Sequence, residues 1–308
     1  MPKSPPKMHP RNRHLHGYDL DLLAAQCPAL TEYIVITPRG QKSVDFSNAK
    51  AVKILNQALL KCYYNVSFWD IPDQYLCPPI PGRVDYIHHL ADLLAADNQG
   101  QIPTGRQVKA LDIGTGANLV YPLTGVAEYG WAFTGSDIDS TSVNIAKQLA
   151  AFNQLKITIK QQSNPAHIFQ HIITDNDLFH ITMCNPPFHA SQQDVEKGTA
   201  RKWQNLTNQA SKQLNFGGQS NELWCPGGER EFISNMINES QQYAEQCVWF
   251  SSLVSKKDSL PTLQLALKKQ PVKEVKVVAM AQGQKVSRFL AWSYFDQATR
   301  QDIFQEFL

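Results

Sequence analysis

The pattern of apolar positions becomes regular after about residue 107. Short apolar, β-branched runs there alternate with stretches whose apolar residues recur at helical spacing. This alternation predicts right-handed strand–helix–strand crossovers and a largely parallel sheet. The predicted strands are 108–113, 131–137, 156–160, 179–184, 247–254, 272–280 and 289–295, and the helices between several of them are 140–154, 228–246 and 260–269.

The last two predicted strands follow one another without a helix between them. A connection this short requires an antiparallel hairpin at the edge of the sheet. Seven strands that end in such a hairpin are typical of Rossmann-like methyltransferases rather than of dehydrogenases. The sequence therefore predicts an α/β, mostly parallel seven-stranded sheet with an antiparallel edge strand.

The first third of the chain has a different organisation. Residues 1–17 are basic and proline-rich with no periodic apolar face, which predicts a disordered arm. Residues 18–85 contain short predicted helices, one short strand and a proline-rich junction, and are predicted to form a small N-terminal module. The main domain is then 86–308, starting with a helix at 86–96.

Residues 189–226 interrupt the main domain. They are rich in Gln, Asn, Ser, Thr and Gly, with isolated aromatics such as Trp203, Phe216 and Trp224. The segment is too long for an ordinary connection, which predicts either an insert over the active site that recognises substrate or an insertion without function.

Composition and charge limit the class of protein. The chain has 308 residues, of which 43% are apolar and 18% charged, with a net charge of +2. No apolar run approaches the roughly 20 residues that span a bilayer, and no secretory signal is evident. The six cysteines are far apart and the histidines lack flanking ligand patterns, so we expect a cytoplasmic protein without a metal site. No obligate protein partner is evident.

Basic residues are concentrated at the N-terminus. Lys3, Lys7, Arg11 and Arg13 precede the first acid, Asp19. Such a segment is suited to neutralising phosphates, but a solubilising tail is equally compatible with its composition.

A glycine turn follows the first strand of the main domain. The motif at 111–118 places Asp112 at the strand end and Gly114 and Gly116 in the turn. Glycine allows the backbone to approach a ligand closely. The third glycine of the dinucleotide fingerprint is missing and Asn118 and Leu119 follow instead, which disfavours a pyrophosphate-bearing cofactor. Asp137, about twenty residues later at the next strand end, is the candidate to bind ribose hydroxyls.

The most specific motif is the sequence Asn-Pro-Pro-Phe at 185–188, directly after the fourth strand. A planar exocyclic amine is a poor nucleophile because its lone pair is delocalised. The Asn185 side-chain oxygen and the Pro186 carbonyl can accept both N–H groups, and Pro187 helps to fix the backbone. Phe188 can stack on the planar group.

These motifs all lie at carboxyl ends of predicted strands, where a doubly wound sheet forms its ligand crevice. Together they predict N-methylation with S-adenosylmethionine as cofactor.

The sequence also resembles a known family, the bacterial ribosomal RNA large subunit methyltransferase F family, related to a eukaryotic U6 snRNA adenine methyltransferase. The segments that carry the resemblance are 8–17, 44–47, 78–94, 112–123, 183–188 and 288–295. The resemblance covers nearly the whole chain and implies N6-methylation of an adenine in 23S rRNA, with free rRNA or an assembling large ribosomal subunit as partner.

The resemblance further implies roles for individual residues. Arg83 and the backbone of Gly114 would contact the cofactor, and Asp137 its ribose. Residues 185–188 would hold the adenine. Lys7, Arg11 and Arg13 would bind RNA phosphates, and residues 18–85 would form an RNA-binding module. The family's cofactor contact after the third strand has no counterpart here, so no residue is assigned to the cofactor's adenine ring.

Three alternatives remain open at the level of sequence. The Asn-Pro-Pro-Phe motif also suits N-methylation of a glutamine side chain or of adenine in DNA. A catalytically inactive RNA-binding scaffold is a third hypothesis, which the intact Asn185, Pro186 and Gly114 disfavour. A nicotinamide oxidoreductase is disfavoured by the glycine pattern.

Overall fold

The computed structural model describes residues 8–191, 220–282 and 285–307. Near the N-terminus, β1 (Ile34–Ile36) and β2 (Lys42–Val44) form a small antiparallel pair. The strands of the main sheet are β3 (Lys109–Ile113), β4 (Ala132–Asp137), β5 (Thr158–Gln161), β6 (Phe179–Cys184), β7 (Cys247–Val254), β8 (Glu274–Gln282) and β9 (Lys285–Ser293).

The main sheet has the predicted fold. Within the described ranges its seven strands lie in the order β5-β4-β3-β6-β7-β9-β8. The first five are parallel to their neighbours, whereas β9 is antiparallel to both β7 and β8. Every residue of β6 is buried, as expected for a central parallel strand covered on both faces. The predicted Rossmann-like methyltransferase fold with its antiparallel hairpin is confirmed.

Helices surround the sheet and begin at recognisable caps. Asn48 caps α2 and Asp139 caps α5, each through a side-chain oxygen that accepts backbone N–H groups. The helices in the described ranges are α1 (Leu20–Gln26), α2 (Ala49–Tyr64), α3 (Ile80–Asp97), α4 (Val120–Tyr129), α5 (Ser140–Phe152), α6 (Ser220–Leu223), α7 (Gly228–Ser240), α8 (Leu260–Lys268) and α9 (Gln297–Phe307). In this part of the chain, no helix combines the length and apolar character that a membrane crossing requires.

Residues 8–17 are ordered, so the prediction of a disordered arm is wrong for this part of it. His14 is only 1% exposed, and its Nε2 lies 2.7 Å from the Tyr64 hydroxyl. Asn12 is also buried and donates through Nδ2 to the Pro81 carbonyl and to Asp85. The segment is held by buried polar contacts, which hydrophobic periodicity cannot reveal. Residues 1–7, including Lys7, lie outside the described ranges.

The predicted domain boundary at 85/86 falls inside α3. Proline is compatible with the first helical turn, where Pro81 lies, so the proline-rich junction continues directly into this helix. The larger of the two hydrophobic clusters in the described ranges extends from Leu20 in α1 to Phe304 in α9. The N-terminal helices and the main sheet therefore share one core.

Candidate active site

The carboxyl ends of β3, β4 and β6 open into one cavity of about 310 Å³. This is the predicted position for a ligand crevice in a doubly wound sheet. The structure brings most of the predicted site residues to it: Arg83, Gly114, Gly116, Asp137, Asn185 and Pro187 all line the cavity. Asp112, Pro186 and Phe188 are not among the lining residues.

The glycine turn after β3 is hydrogen-bonded to the end of β4. Gly114 and Gly116 have φ angles of 68° and 64°, in the left-handed region that favours glycine. The N–H groups of Gly114 and Thr115 both donate to the Ser136 carbonyl, at 2.9 Å each. A Cβ on Gly116 would lie 3.2 Å from Glu222 Oε1. Both glycines are therefore required by backbone geometry, and Gly116 also by a close contact.

Asp137 is held at the cavity edge by backbone donors. Its Oδ2 accepts from Gly116 N at 2.8 Å and its Oδ1 from Asp139 N at 2.9 Å. Desolvation raises its pKa above the ordinary value despite these hydrogen bonds. Each carboxylate oxygen can accept a further hydrogen bond, so the predicted ribose contact is compatible with the observed geometry.

Asp112 lies beneath the glycine turn and is fully buried. Its Oδ2 accepts from the Thr115 hydroxyl at 2.7 Å, while its Oδ1 has no partner among the described residues. Desolvation raises its pKa from 3.8 to about 7, and the nearby Asp137 charge adds to this effect, whereas Thr115 and Arg83 oppose it.

Arg83 extends from the first turns of α3 to the cavity. One guanidinium nitrogen, Nη1, donates to the Tyr121 hydroxyl at 2.9 Å, and the guanidinium carbon lies 5.6 Å from the centre of that ring. The Nε of Arg83 is buried without a partner in the described part of the chain. A guanidinium that is positioned through Nη1 and keeps Nε without a partner is suited to bind a carboxylate.

Asn185 follows β6 directly and has an unpaired acceptor. Its Oδ1 is buried and accepts no hydrogen bond from the residues described. The following loop is fixed by backbone hydrogen bonds. The N–H of His189 donates to Leu223, the N–H of Cys225 donates to His189, both at 3.1 Å, and the two segments form a β-bridge between His189 and Trp224. The ends of the predicted insert are thus joined beside the Asn-Pro-Pro-Phe loop. Its middle, 192–219, with Trp203 and Phe216, lies outside the described residues.

Several cavity residues were not predicted from sequence. Glu222, in α6, accepts the N–H of Leu76 through Oε2 at 3.0 Å and so connects the insert to the segment before α3. Ile138, Gln162, Pro165 and Ile168 line the region near the end of β5, where no adenine-ring residue could be assigned. Glu222 lies in a helix of four residues and the others lie in loops, so no periodic pattern marked them.

Arg11 and Arg13 lie on the protein surface away from the cavity lining. Arg11 Nη2 is 2.6 Å from Asp92 Oδ1, and Arg11 Nε donates to the Tyr129 hydroxyl. Arg13 Nε is 2.8 Å from Glu128 Oε1. The side chains remain 35% and 47% exposed. The two predicted RNA-binding cations therefore also attach the N-terminal segment to α3 and α4.

A histidine cluster near Arg11 has the composition of a metal site. Ligand atoms of His9, His89 and Asp92 lie within 4.8 Å of one another. However, His9 Nδ1 accepts the N–H of Arg11 at 3.1 Å, so neutral His9 carries its proton on Nε2, 2.8 Å from Asp92. A metal requires that nitrogen unprotonated. Hydrogen bonding therefore accounts for the approach of His9 to Asp92.

Polar groups at and beneath the cavity fit S-adenosylmethionine. Arg83 Nε is suited to the amino-acid carboxylate of the cofactor, Asp112 supplies an acidic group beneath the turn, and Asp137 is placed for a ribose. With the fold, they define a methyltransferase that depends on S-adenosylmethionine, which supplies an electrophilic methyl group.

Comparison with known proteins identifies the family. A family model described as RNA methyltransferase matches residues 2–296. Ribosomal RNA large subunit methyltransferase F of Pseudoalteromonas translucida is 67% identical over 300 residues, covering 97% of each chain, and that of Pseudomonas entomophila is 53% identical, covering 96% of each. The chain belongs to the RNA methyltransferase family that includes ribosomal RNA large subunit methyltransferase F.

Solved structures agree with this assignment. The catalytic domain of hMettl16 in complex with MAT2A 3′UTR hairpin 1 is 31% identical, with a TM-score of 0.81, and the match covers 94% of this chain and 96% of that one. The N-terminal domain of human METTL16 in complex with SAH is 29% identical, with a TM-score of 0.74, and the match covers 94% and 99%. SAH is what S-adenosylmethionine becomes when its methyl group has been transferred.

Proposed function

We propose that this protein methylates the N6 amine of a specific adenine in 23S rRNA of the large ribosomal subunit. The observation that carries the proposal is the buried, unpaired Oδ1 of Asn185 at the cavity. An acceptor without a donor costs stability unless a ligand provides the donor. The N6 amine of adenine is such a donor. The names of the bacterial relatives support ribosomal RNA as the substrate.

The proposed chemistry consists of positioning and hydrogen bonding. Asn185 Oδ1 and the Pro186 carbonyl accept the two N–H groups, which draws the nitrogen from planar toward tetrahedral geometry and makes its lone pair available. Phe188 stacks on the purine. S-adenosylmethionine bound at the cavity would supply an electrophilic methyl group to this nitrogen and would leave as SAH, and the N6 proton would then pass to water. No base has to remove a proton first, so most of the rate enhancement comes from orientation.

RNA binding is assigned to the N-terminal part of the chain. Lys7, Arg11 and Arg13, together with the module at 18–85, are proposed to contact phosphates. The substrate is rRNA, free or in an assembling subunit, in the cytoplasm. Because the N6 atom is reached only in an unpaired or flipped base, the target adenine is expected in a loop.

The decisive experiment maps modified nucleotides in rRNA by mass spectrometry, in cells with and without the gene. We expect one N6-methyladenosine of 23S rRNA to disappear in the deletion strain and to return with the wild-type gene. Complementation with Asn185→Ala is the matched control and should not restore it. Unchanged rRNA, with loss of a methylated glutamine or of methylated adenine in DNA, would contradict the proposal.

Calorimetry with S-adenosylmethionine separates an enzyme from an inert scaffold. The proposal requires saturable binding with one site per chain. A chain that binds RNA but shows no saturable binding of the cofactor would instead be a scaffold.

A further inference from the structure

Trp224 has a buried hydrogen-bond donor that the protein itself does not use. Its indole Nε1 is shielded from solvent and has no acceptor among the described residues, and its side chain lines the cavity. The other tryptophans in the described ranges all have acceptors for the same group: Trp69 donates to Asn118, Trp131 to Pro103, Trp249 to Asp97 and Trp292 to Ser240. Trp224 is therefore an exception that lies at the site.

Trp224 lies beside the Asn-Pro-Pro-Phe loop. Its backbone forms the β-bridge with His189, the residue that directly follows this loop. Trp224 and Asn185 line the same cavity, and each contributes one buried, unpaired atom. The indole contributes a donor and the amide contributes an acceptor. A ligand that satisfies both atoms must present a donor and an acceptor of its own.

Adenine presents this combination on both edges that include N6. Its amine donates, and a ring nitrogen, N1 on one edge and N7 on the other, accepts next to it. Guanine has a carbonyl oxygen in place of the amine, which would confront the Asn185 acceptor with a second acceptor. A site built to hydrogen-bond a substrate rejects analogues that leave its buried groups unpaired.

We infer that Trp224 determines specificity for the target base by donating its indole N–H to the adenine ring nitrogen next to N6. This inference rests on the proposed function, because it requires an adenine at Asn185. The aromatic face of Trp224 is a separate property, and the test must distinguish the N–H group from the ring.

The test compares Trp224→Phe with the wild type on a synthetic 23S rRNA fragment centred on the mapped adenosine. Phenylalanine keeps an aromatic ring and removes the donor together with the five-membered ring of the indole, so the deaza substrates are needed to isolate the contribution of the N–H group. The fragment carries adenosine, 1-deazaadenosine or 7-deazaadenosine at the target, so that either ring nitrogen is removed while N6 remains. Trp131→Phe serves as control, because its N–H bonds inside the protein.

We expect Trp224→Phe to lower kcat/KM on adenosine about tenfold, the scale of one hydrogen bond. The wild type should lose a similar factor on one of the two deaza substrates, and Trp224→Phe should show no further loss on that substrate. Trp131→Phe should retain the full discrimination between adenosine and that analogue.

Additive losses for Trp224→Phe and the deaza substitution would overturn the inference, as would equal rates of the wild type on all three substrates. A higher Kd for S-adenosylmethionine in Trp224→Phe would show that the indole N–H donates to the cofactor, and this would also overturn the inference. A wild-type enzyme that transfers no methyl group to the adenosine fragment would contradict the proposed function itself.

Discussion

Asn185, Arg83 and Asp112 each bury a polar atom that the described residues leave without a partner. Leaving one such atom unpaired costs about 1–3 kcal/mol of folding free energy. Buried polar groups are ordinarily paired, so the unpaired atoms of Arg83 and Asn185 at the cavity indicate groups kept for a ligand, whereas Asp112 lies beneath the glycine turn. We expect this cost to be recovered when the cofactor and substrate bind.

Asn185→Ala tests this at the acceptor that faces the amine. We expect kcat to fall about 10²- to 10³-fold, the loss typical for one preorganised hydrogen-bonding group, because the nitrogen is no longer drawn out of planarity. The Kd for S-adenosylmethionine, measured by calorimetry, should stay within about twofold. Asn235→Ala, an exposed amide on α7, is the matched control and should match the wild type. Retention of most activity in Asn185→Ala would refute the role.

Asp112 predicts a pH dependence of stability. Its pKa is about 7 in the folded chain against an ordinary value of 3.8, so between these pH values the folded state binds a proton that the unfolded state does not. The free energy of unfolding should therefore fall as pH rises through this window. The two pKa values differ by about three, which corresponds to about 4 kcal/mol.

Asp112→Asn removes this dependence. The variant should be more stable than the wild type at pH 8 and nearly equal to it at pH 4, measured by urea unfolding without cofactor. Asp258→Asn, an exposed residue, is the control and should differ little from the wild type at either pH. If Asp112→Asn differed from the wild type by the same free energy of unfolding at pH 4 and at pH 8, Asp112 would be ionised in the folded chain at both pH values.

The N-terminal segment differs most from the sequence prediction. Deleting residues 1–17 removes the buried contacts of His14 and Asn12, so we expect the free energy of unfolding to fall by about 3–5 kcal/mol, the sum of several buried hydrogen bonds. A loss of RNA binding in this deletion would therefore combine the removal of basic residues with the loss of folded structure. Thermal unfolding measures the first effect.

Deleting only residues 1–7 separates the two effects. This deletion removes Lys3 and Lys7 and leaves the ordered contacts in place. The Tm should be unchanged, while the salt dependence of RNA affinity should weaken by about 0.7 in log–log slope for each lost phosphate contact. An unchanged slope would remove Lys7 from the RNA-binding set.

The sheet and the central motifs were predictable from sequence because both follow local rules. Strand period and helix spacing gave the seven strands, and the strand-end rule brought Gly114, Asp137 and Asn185 to one cavity. The contact of His14 with Tyr64 joins residues 50 positions apart, and Glu222 reaches Leu76 across 146. Such polar contacts have no local pattern, so neither the ordered N-terminal segment nor the position of Glu222 followed from the sequence.

The continuous core makes a prediction for the entire chain. Because one hydrophobic cluster includes residues from α1 to α9, the N-terminal helices and the sheet should unfold together. Differential scanning calorimetry should show one transition, with equal calorimetric and van't Hoff enthalpies. Two resolved transitions would favour the separate module at 18–85 that the sequence predicted.

A buried ion pair offers a way to destabilise this unit far from the cavity. Arg300 in α9 and Asp97 at the end of α3 are each 1% exposed, with Arg300 Nε 2.9 Å from Asp97 Oδ2. Arg300→Ala leaves the Asp97 charge buried without its cation, so the free energy of unfolding should fall by about 3–5 kcal/mol. Differential scanning calorimetry should still show one transition, at a lower temperature.

The hydrogen bonds between His189, Leu223 and Cys225 place the two ends of the 189–226 region side by side. A chain segment anchored in this way can gain, lose or exchange residues between its ends without moving the residues that perform chemistry. Related sequences can thus differ between these two ends while residues 185–188 keep their places. Exchanging the intervening residues between relatives therefore tests whether this region selects the RNA: a changed target would assign selection to it, and an unchanged target would exclude it.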